Sequence, residues 1–375
     1  MIPAVNRPRI APPSKINTAL ADLGLLCSTT ALAACSGGAS GDRLKVVIIS
    51  KSYQNQFYQA AFKGAKDAAD KLSVDLETNG PDAESNVSQQ VEQLAAAVNQ
   101  HPDAIALAAS QPDAVQDALV NAKSQSIPVI GFDSGVPGDA SGAVVATATT
   151  DNVAAGGNVA TNLAANEAFK TAVGAGTTSA PAVIGVLAQD STSGSIVQRV
   201  NGFVDALVAE LEKIDGLAGA VDVSGQQQWT RPSASPAKAK IVVTVPPTTS
   251  QADIQSAAAS ILGTGGLVAM FAANQDGVNG VISATNDATD LDRAGGKYKD
   301  LLVVGFDAGK SQKDAVRSGA FLGSVTQDPY QMGYQAVELA VKAAKGEAVA
   351  DVDTGSHWYD ASNLDNEDIS ILLYD

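Results

Sequence analysis

Two short apolar stretches constrain the fold of this chain most. Each ends at an aspartate, and a glycine stands two residues after that aspartate. One is SIPVIGFDSG at 126–135, which reaches Asp133, and the other is LLVVGFDAG at 301–309, which reaches Asp307. A further apolar run ends at Gln327. In open α/β sheets, ligands bind at the carboxyl ends of the strands. The pattern therefore predicts buried strands whose terminal polar side chains face a ligand.

Apolar runs alternate with amphipathic segments along the rest of the chain. Strand-like runs at 44–50 and 104–108 bracket helix-like segments at 59–72 and 86–99. Strands that alternate with helices are typical of βαβ units and a parallel sheet. The same order restarts after Thr150, so the sequence predicts an α/β fold of two similar Rossmann-like lobes, each with a parallel sheet.

The charge and the residue counts exclude several classes of function. The chain carries 40 Asp and Glu against 24 Lys and Arg, a formal net charge of −16, whereas nucleic-acid binding needs a basic surface. It contains neither a GxGxxG turn after a strand nor a GxxxxGK loop followed by Ser or Thr, which nucleotide-binding enzymes use for phosphate. His101 and His357 lie far apart without further ligand residues. We expect no metal, no cofactor and no nucleic-acid partner.

The amino-terminal segment has the order of a bacterial lipoprotein leader. Three basic residues precede an apolar run at 23–34, which is too short to span a bilayer as a helix. The run ends at LAAC, with SGGASG after Cys35, and this resembles a lipobox, in which the cysteine becomes lipid-modified after cleavage. We predict a signal peptide over 1–34, lipidation of Cys35 and a flexible tether over 35–43. A disordered tail with an incidental cysteine is the alternative.

Six stretches match the motifs of one protein family in the same order. They are KVVIISKSYQNQFYQAAFKGAKDAADKL, SIPVIGFDSG, ATTDNVAAGG, MFAANQDGVNG, LVVGFDAG and GSVTQDPYQMG. Here the chain resembles the periplasmic-binding-protein family, specifically the ribose, allose and galactose type of sugar-binding proteins of ABC importers. The resemblance extends over nearly everything from Leu44 onward. It implies a type I periplasmic-binding-protein fold, with two lobes that close on the ligand about a hinge.

The resemblance also implies which residues contact the ligand. Carried over position by position, they are Lys51, Asn55, Phe57, Tyr58, Asp133, Arg199, Asn274, Asp307 and Gln327, and Ser134, which follows Asp133, is a further candidate. Sugar hydroxyls suit charged and planar partners, and the C–H patches of the ring suit aromatic faces. Taken singly, Asp133 and Asp307 could merely cap turns, since aspartate is common in loops. The set favours one cleft, because its polar members end strands or begin helices.

Two positions distinguish this chain from the ribose type of the family, and the second stacking aromatic has to be selected. Ser134 stands where the ribose type has an arginine, whereas Lys51 matches the lysine of the allose type. These differences favour a hexose, or a related pentose or polyol, over ribose itself. Trp229 is our choice for the second stacking aromatic. Trp358 and Tyr359 are interpreted as structural residues at a hinge crossing.

The family pattern also sets the predicted lobe boundaries. The amino-terminal lobe is predicted to comprise 44–150 and 328–355, and the carboxyl-terminal lobe 151–327 and 356–375. The segments 221–229 and 241–247 are both strand-like where the pattern has one strand. The sequence leaves open which of these two segments is the insertion.

Together these features predict a binding protein rather than an enzyme, since no nucleophile–base pair or metal cluster is recognisable. We expect an extracytoplasmic, monomeric lipoprotein, anchored to the cell membrane through Cys35, that delivers a monosaccharide to the permease subunits of an ABC transporter. The alternatives are a receptor for a furanose-type autoinducer and the effector domain of a sugar-responsive repressor. The repressor would need a basic amino-terminal helix-turn-helix, and this chain has the lipobox-like segment there instead.

Overall fold

The computed structural model of the protein describes residues 43–374. Cys35 and the predicted signal peptide lie outside the described residues, so lipidation stays a prediction. Within 43–374, no helix combines the length and the apolar composition that crossing a membrane requires.

The first part of the described chain alternates strands with helices. Its elements are β1 (Lys45–Ile49), α1 (Gln56–Leu72), β2 (Asp75–Asn79), α2 (Val87–Asn99), β3 (Ala104–Leu107), α3 (Gln116–Ser124), β4 (Val129–Phe132) and β5 (Val144–Thr149). Helix α1 begins where it does because the Asn55 side chain accepts a hydrogen bond from the amide of Phe57 at 2.9 Å. It ends where Ser73 takes a left-handed conformation, with φ of 57°.

The middle part repeats this alternation. Its elements are α4 (Asn152–Ala165), α5 (Glu167–Gly174), β6 (Ala182–Leu187), α6 (Gly194–Leu211), β7 (Val221–Gly225), β8 (Ala239–Thr244), α7 (Gln251–Leu262), β9 (Leu267–Ala272), α8 (Gln275–Ala284), β10 (Leu302–Phe306), α9 (Lys310–Arg317) and β11 (Gly323–Gln327). Helices α4 and α6 pack backbone to backbone at Gly156, where a Cβ would lie 2.0 Å from the carbonyl oxygen of Arg199. This contact holds Arg199 close to the start of α4.

The last part of the chain packs first on the first part and then on the second part. Its elements are α10 (Pro329–Ala344), β12 (Val352–Asp353), β13 (Ser356–Tyr359) and α11 (Glu367–Ser370). Helix α10 lies against α1, because Gly333 carries no side chain at a point where a Cβ would be 1.8 Å from the carbonyl oxygen of Ala61. The chain therefore passes between the two parts after β5, after β11 and after β12.

Two sheets organise the described chain. The first has the order β12-β5-β4-β3-β1-β2 and is parallel throughout. The second has the order β13-β11-β10-β9-β6-β8-β7, with β13 antiparallel to β11 and the other pairs parallel. Buried apolar side chains pack on both faces of each sheet. The prediction of two α/β lobes with parallel sheets is confirmed.

The comparison of the two sheets identifies the extra strand. In the first sheet β2 pairs with β1, and in the second sheet β8 pairs with β6 in the same way. Strand β7 lies outside β8 at the edge of the second sheet and has no counterpart in the first. Of the two strand-like segments, the one around β7 is therefore the insertion, and β8 belongs to the shared pattern.

Candidate functional site

Polar side chains from the carboxyl ends of strands in both sheets line one cavity between the lobes. It is lined by Lys51, Asn55, Phe57, Tyr58, Glu84 and Asp133 from the first lobe and by Ile196, Arg199, Asn274, Gln275, Asp307 and Gln327 from the second. Its free volume is about 30 Å³, which is room for roughly two water molecules. A larger ligand can enter only when the lobes move apart.

Nine of the eleven predicted ligand-binding residues line this cavity, and Ser134 and Trp229 do not. The Ser134 hydroxyl donates to the carbonyl oxygen of Ala109 at 2.9 Å, within its own lobe. Trp229 lies in a 3-10 turn after β7, is 1% exposed and packs in the core of the second lobe. Its indole nitrogen donates to Asn201 at 2.9 Å. The position of Trp229 supports a structural role rather than stacking on a ligand.

Asp133 and Asp307 occupy equivalent places in the two lobes. Each follows a buried strand directly, and each has a left-handed backbone, with φ of 53° and 71°. Aspartate is among the few residues that adopt this conformation readily. The turn directs both carboxylates into the cavity, where Asp133 accepts a hydrogen bond from the Tyr58 hydroxyl at 2.6 Å. The shared motif of the sequence thus produces a shared geometry.

The Asp307 carboxylate is held by two donors of its own lobe. The amide of Gln275 donates to one oxygen at 2.9 Å, and the Nε2 atom of Gln327 donates to the other at 2.6 Å. Burial raises the pKa of Asp307, while the nearby Arg199 guanidinium lowers it in part. The carboxylate is therefore oriented before any ligand arrives, and it sits in an environment where hydrogen bonds to it are strong.

Arg199 is fixed by protein groups on three sides. Its Nη2 and Nε atoms donate to Oδ1 of Asn152 at 2.8 and 3.2 Å, and its Nη1 atom donates to the carbonyl oxygen of Ala273 at 2.7 Å. The guanidinium carbon lies 3.5 Å from the ring centroid of Phe306. Since a guanidinium has five N–H groups, about two remain for a ligand. Burial lowers the pKa of Arg199, but an arginine stays protonated in proteins.

Lys51 is the second buried cation of the cavity. Its Nζ atom lies 3.6 Å from the Glu84 carboxylate and 3.7 Å from the Asp133 carboxylate. It also donates to the Ser193 hydroxyl of the other lobe at 3.3 Å. Burial alone would lower the pKa of Lys51, but the carboxylates of Glu84, Asp133 and Asp190 raise it further than burial lowers it. Lys51 is therefore protonated, and it joins the two lobes.

The aromatic wall of the cavity is built around Phe57. Its ring meets Tyr58 edge to face at 5.1 Å and meets Tyr374 edge to face at 5.9 Å. Tyr374 comes from the carboxyl terminus, and its hydroxyl oxygen accepts a hydrogen bond from the amide of Ala308 in the second lobe at 3.2 Å. The end of the chain thus links the aromatic wall of one lobe to the loop that carries Asp307.

Three lining residues were missed by the sequence reasoning: Glu84, Ile196 and Gln275. Glu84 lies in the loop after β2, where no periodicity or motif marks a functional position. Gln275 follows the predicted Asn274 directly, so its place at a strand end was a usable signal. Ile196 lies in the first turn of α6, three residues before Arg199, and helical spacing places both on one face.

This geometry defines a class of protein. Buried carboxylates, a guanidinium, an ammonium and amides converge on one cavity between two lobes, and such groups hold a polar ligand by hydrogen bonds. Lobes that meet around a ligand are typical of hinged binding proteins. Among residues 43–374, no cluster of His, Cys, Asp or Glu suits a metal ion. The fold and the site together define a two-lobed receptor for a small polar molecule.

The chain belongs to the periplasmic binding protein family, whose domain model matches residues 46–348. Membership implies an extracytoplasmic location. The chain is 26% identical over 328 residues to the ribose import binding protein of Salmonella typhimurium, covering 87% of this chain and 94% of that protein. The predicted family resemblance is confirmed. So is the prediction of a binding protein rather than an enzyme, since this relative is a transport protein.

Solved structures are similar over most of the chain. One, described as an ABC transporter, LacI family transcriptional regulator from Brachyspira murdochii, is 37% identical with a TM-score of 0.72, covering 89% of this chain and 99% of that one. Another is an ABC transporter solute-binding protein from Agrobacterium vitis with bound D-fucose. It is 28% identical with a TM-score of 0.71, covering 88% of this chain and 100% of that one.

Proposed function

We propose that this chain is the solute-binding component of an ABC-type sugar importer and that it captures a monosaccharide between its lobes. The observation that carries the proposal is the convergence of buried Lys51, Asp133, Arg199 and Asp307 on one interlobe cavity. Ring hydroxyls donate and accept in fixed directions, so a site for them benefits from pre-oriented carboxylates and cations. The ribose import relative and the D-fucose complex support a sugar as the ligand.

Eight of the lining residues have an assigned role in this proposal. Asp133 and Asp307 accept hydrogen bonds from ring hydroxyls, and the remaining N–H groups of Arg199 donate to ring oxygens. Asn55, Asn274 and Gln327 add amide contacts, while Phe57 and Tyr58 face the apolar patches of the ring. The ligand is a hexose, or a related pentose or polyol.

Binding proceeds through opening and closure of the lobes. The present cavity is too small for a monosaccharide, so the sugar binds first to an open form and the lobes then close over it. Closure desolvates the hydroxyls and strengthens their hydrogen bonds to the buried charges. The closed form then docks on the permease subunits and releases the sugar when they reopen it.

The proposal is tested with a thermal-shift screen of pentoses, hexoses, polyols and furanose signals against residues 36–375, followed by calorimetric titration. A ligand present at a thousandfold excess over its Kd raises the stability of the folded form by roughly 4 kcal/mol. We expect a neutral monosaccharide to give the largest shift. A response confined to the furanose signals would instead support the autoinducer receptor, and no response to any sugar would contradict the proposal.

The membrane anchor is a separate part of the proposal and depends on Cys35. Lipidation of this cysteine after removal of 1–34 would hold the receptor at the cell membrane, with the Gly- and Ser-rich segment after it as a tether. We expect Cys35→Ala to abolish lipid attachment and release the protein, while Cys27→Ala, the matched control, has no effect. Mass spectrometry of the detergent-extracted protein detects the lipid. An unmodified wild-type protein would contradict the anchor and leave the sugar site unaffected.

A further inference from the structure

Glu84 is a largely buried carboxylate of the cavity to which the described residues offer no hydrogen bond. It lies in the loop between β2 and α2, and its side chain is 10% exposed. Its one close charged contact in residues 43–374 is the Lys51 ammonium at 3.6 Å, which is longer than a charge-assisted hydrogen bond of about 2.7–2.9 Å. A largely buried carboxylate with no protein hydrogen-bond donor can still accept one, so this geometry suits a donor that comes from outside the chain.

Lys51 lacks hydrogen-bond acceptors, whereas Glu84 lacks hydrogen-bond donors. Its ammonium has three N–H donors, and the Ser193 hydroxyl at 3.3 Å is the one hydrogen-bond acceptor within reach in the described part of the chain. The carboxylates of Glu84 and Asp133 stand on either side of it, at 3.6 and 3.7 Å. Two donors of Lys51 therefore have no protein acceptor within hydrogen-bond reach, and two carboxylates stand just beyond that reach. A hydroxyl group placed there could accept from Lys51 and donate to a carboxylate at once.

We propose that Glu84 is a specificity-determining residue of the sugar site, and that it works with Lys51 to recognise one hydroxyl group of the ligand. The hydroxyl oxygen accepts a hydrogen bond from the Lys51 ammonium, and its proton is donated to the Glu84 carboxylate. This inference rests on the proposed sugar-binding function. It assigns the hydroxyl selectivity of the cleft to a residue pair rather than to the strand-end aspartates alone.

The position of Glu84 adds to this argument. A wider cavity of about 350 Å³ adjoins the first and also lies between the lobes, and Glu84 lines both cavities. The hydroxyl that meets Glu84 is therefore placed where the two cavities share a lining residue. Sugars that differ in the presence or direction of this hydroxyl are distinguished at Glu84, because the loss of a partner leaves a buried carboxylate unsatisfied.

The test combines a protein substitution with a ligand substitution. Glu84→Gln keeps the shape of the side chain and removes its charge, and Glu92→Gln makes the same change at an exposed site on α2 as the matched control. The best sugar of the ligand screen and its monodeoxy analogues, one for each hydroxyl, are titrated calorimetrically against the wild type and both variants. The titrations are done at pH 8, where the Glu84 carboxyl, whose pKa burial raises to about 7, is mostly ionised.

We expect Glu84→Gln to bind the parent sugar about tenfold more weakly or worse, and Glu92→Gln to bind it as the wild type does. One deoxy analogue should bind the wild type weakly and show no further loss with Glu84→Gln, which identifies the contacted hydroxyl. A purely structural role of Glu84 would weaken every analogue by the same factor, and that result would overturn the inference. Equal affinity of wild type and Glu84→Gln for the parent sugar would overturn it too. If no sugar binds even the wild type, the proposed function itself fails.

Discussion

At the scale of single residues, the charge of Asp307 can be separated from its structural role. Its two oxygens accept from the amide of Gln275 and from Nε2 of Gln327, and the Oε1 atom of Gln327 is buried without a partner. In Asp307→Asn, the new amide can donate to a rotated Gln327 side chain, so the local hydrogen bonds survive. The substitution therefore removes the charge and little else.

We expect Asp307→Asn to weaken sugar binding by about tenfold or more, because a charge-assisted hydrogen bond becomes a neutral one. The free energy of unfolding should change little. Calorimetric titration measures the affinity, and circular dichroism melting measures the stability. Arg199→Ala is a poorer probe, since it would also strip Asn152 and Ala273 of their donor. If Asp307→Asn binds the sugar as tightly as the wild type does, Asp307 is not a ligand contact.

The raised pKa of Glu84 leads to a prediction about how the free energy of unfolding depends on pH. Burial, opposed in part by Lys51, raises the pKa of Glu84 to about 7 from an ordinary value of 4.5. The folded protein therefore holds this proton more tightly than the unfolded chain does. The contribution to stability is present below about pH 4.5 and is lost as the pH rises through 7. Other groups that face Glu84 are Asp133, Asp190 and Asp276, and burial raises the pKa of Asp276 to about 6.

We expect Glu84→Gln to gain free energy of unfolding relative to the wild type between pH 5 and pH 8, by roughly 1–3 kcal/mol at about 1.4 kcal/mol per pKa unit. Urea unfolding of both proteins at the two pH values measures this gain, which includes the change in the interaction between Glu84 and Asp276. Glu92→Gln serves again as control and should show no such gain. If the free energy of unfolding of Glu84→Gln depends on pH as that of the wild type does, the pKa of Glu84 is not raised by folding.

The sequence predicted the cleft residues at strand ends better than those in loops. Asp133 and Asp307 were accessible to sequence reasoning because a buried strand before a polar residue fixes where that residue must lie. Glu84 was not, since the path of the loop after β2 depends on tertiary contacts, such as the bond from Nε2 of Gln93 to the carbonyl oxygen of Gly80 at 3.0 Å. Trp229 was chosen as a stacking residue for its large ring, and the 3-10 turn after β7 directs that ring into the core.

At the scale of elements, Trp229 anchors the inserted strand. Strand β7 pairs with β8 at the edge of the second sheet, and on its other side Val223 forms an isolated antiparallel bridge with Arg231. The Trp229 ring packs in the core of that lobe, and its indole nitrogen bonds to Asn201 of α6. The insertion thus contributes a buried side chain to the lobe core, which ties the extra strand to the shared α/β pattern. Sequence periodicity showed two strands here, but pairing order was needed to tell which one is extra.

We expect Trp229→Ala to lower the free energy of unfolding by roughly 3–5 kcal/mol, the range for removing a large buried aromatic. Sugar affinity, measured well below the melting temperature, should stay within about twofold of the wild type. Trp229→Phe should cost less, because it keeps most of the ring volume while losing the bond to Asn201. A large loss of affinity in a stably folded Trp229→Phe would restore the role as a stacking residue.

At the scale of the whole molecule, the two lobes touch across the cleft. Lys51 donates to Ser193, and the side-chain amide of Gln275 donates to Oε1 of Gln56 at 2.9 Å. Apolar contacts accompany them, since the ring of Phe57 meets Tyr374 and Gly194 lies against Pro137. A ligand that contacts both lobes adds to these interactions and shifts the population toward the closed form.

Closure brings Gly194, the first residue of α6, against a loop of the other lobe. A Cβ at this position would lie 2.6 Å from Cγ of Pro137 and 2.7 Å from the carbonyl oxygen of Ser134. The clash exists only when the lobes are together, so Gly194→Ala should fold normally and resist closure. We expect its sugar affinity to fall by about tenfold, because the apparent Kd rises as the closed population falls.

Gly157→Ala is the matched control, since its new methyl would meet Ala206 at an ordinary 3.7 Å. Small-angle scattering with saturating sugar should show Gly194→Ala more extended than the wild type. Equal scattering and equal affinity would mean that closure does not bring these surfaces together in solution.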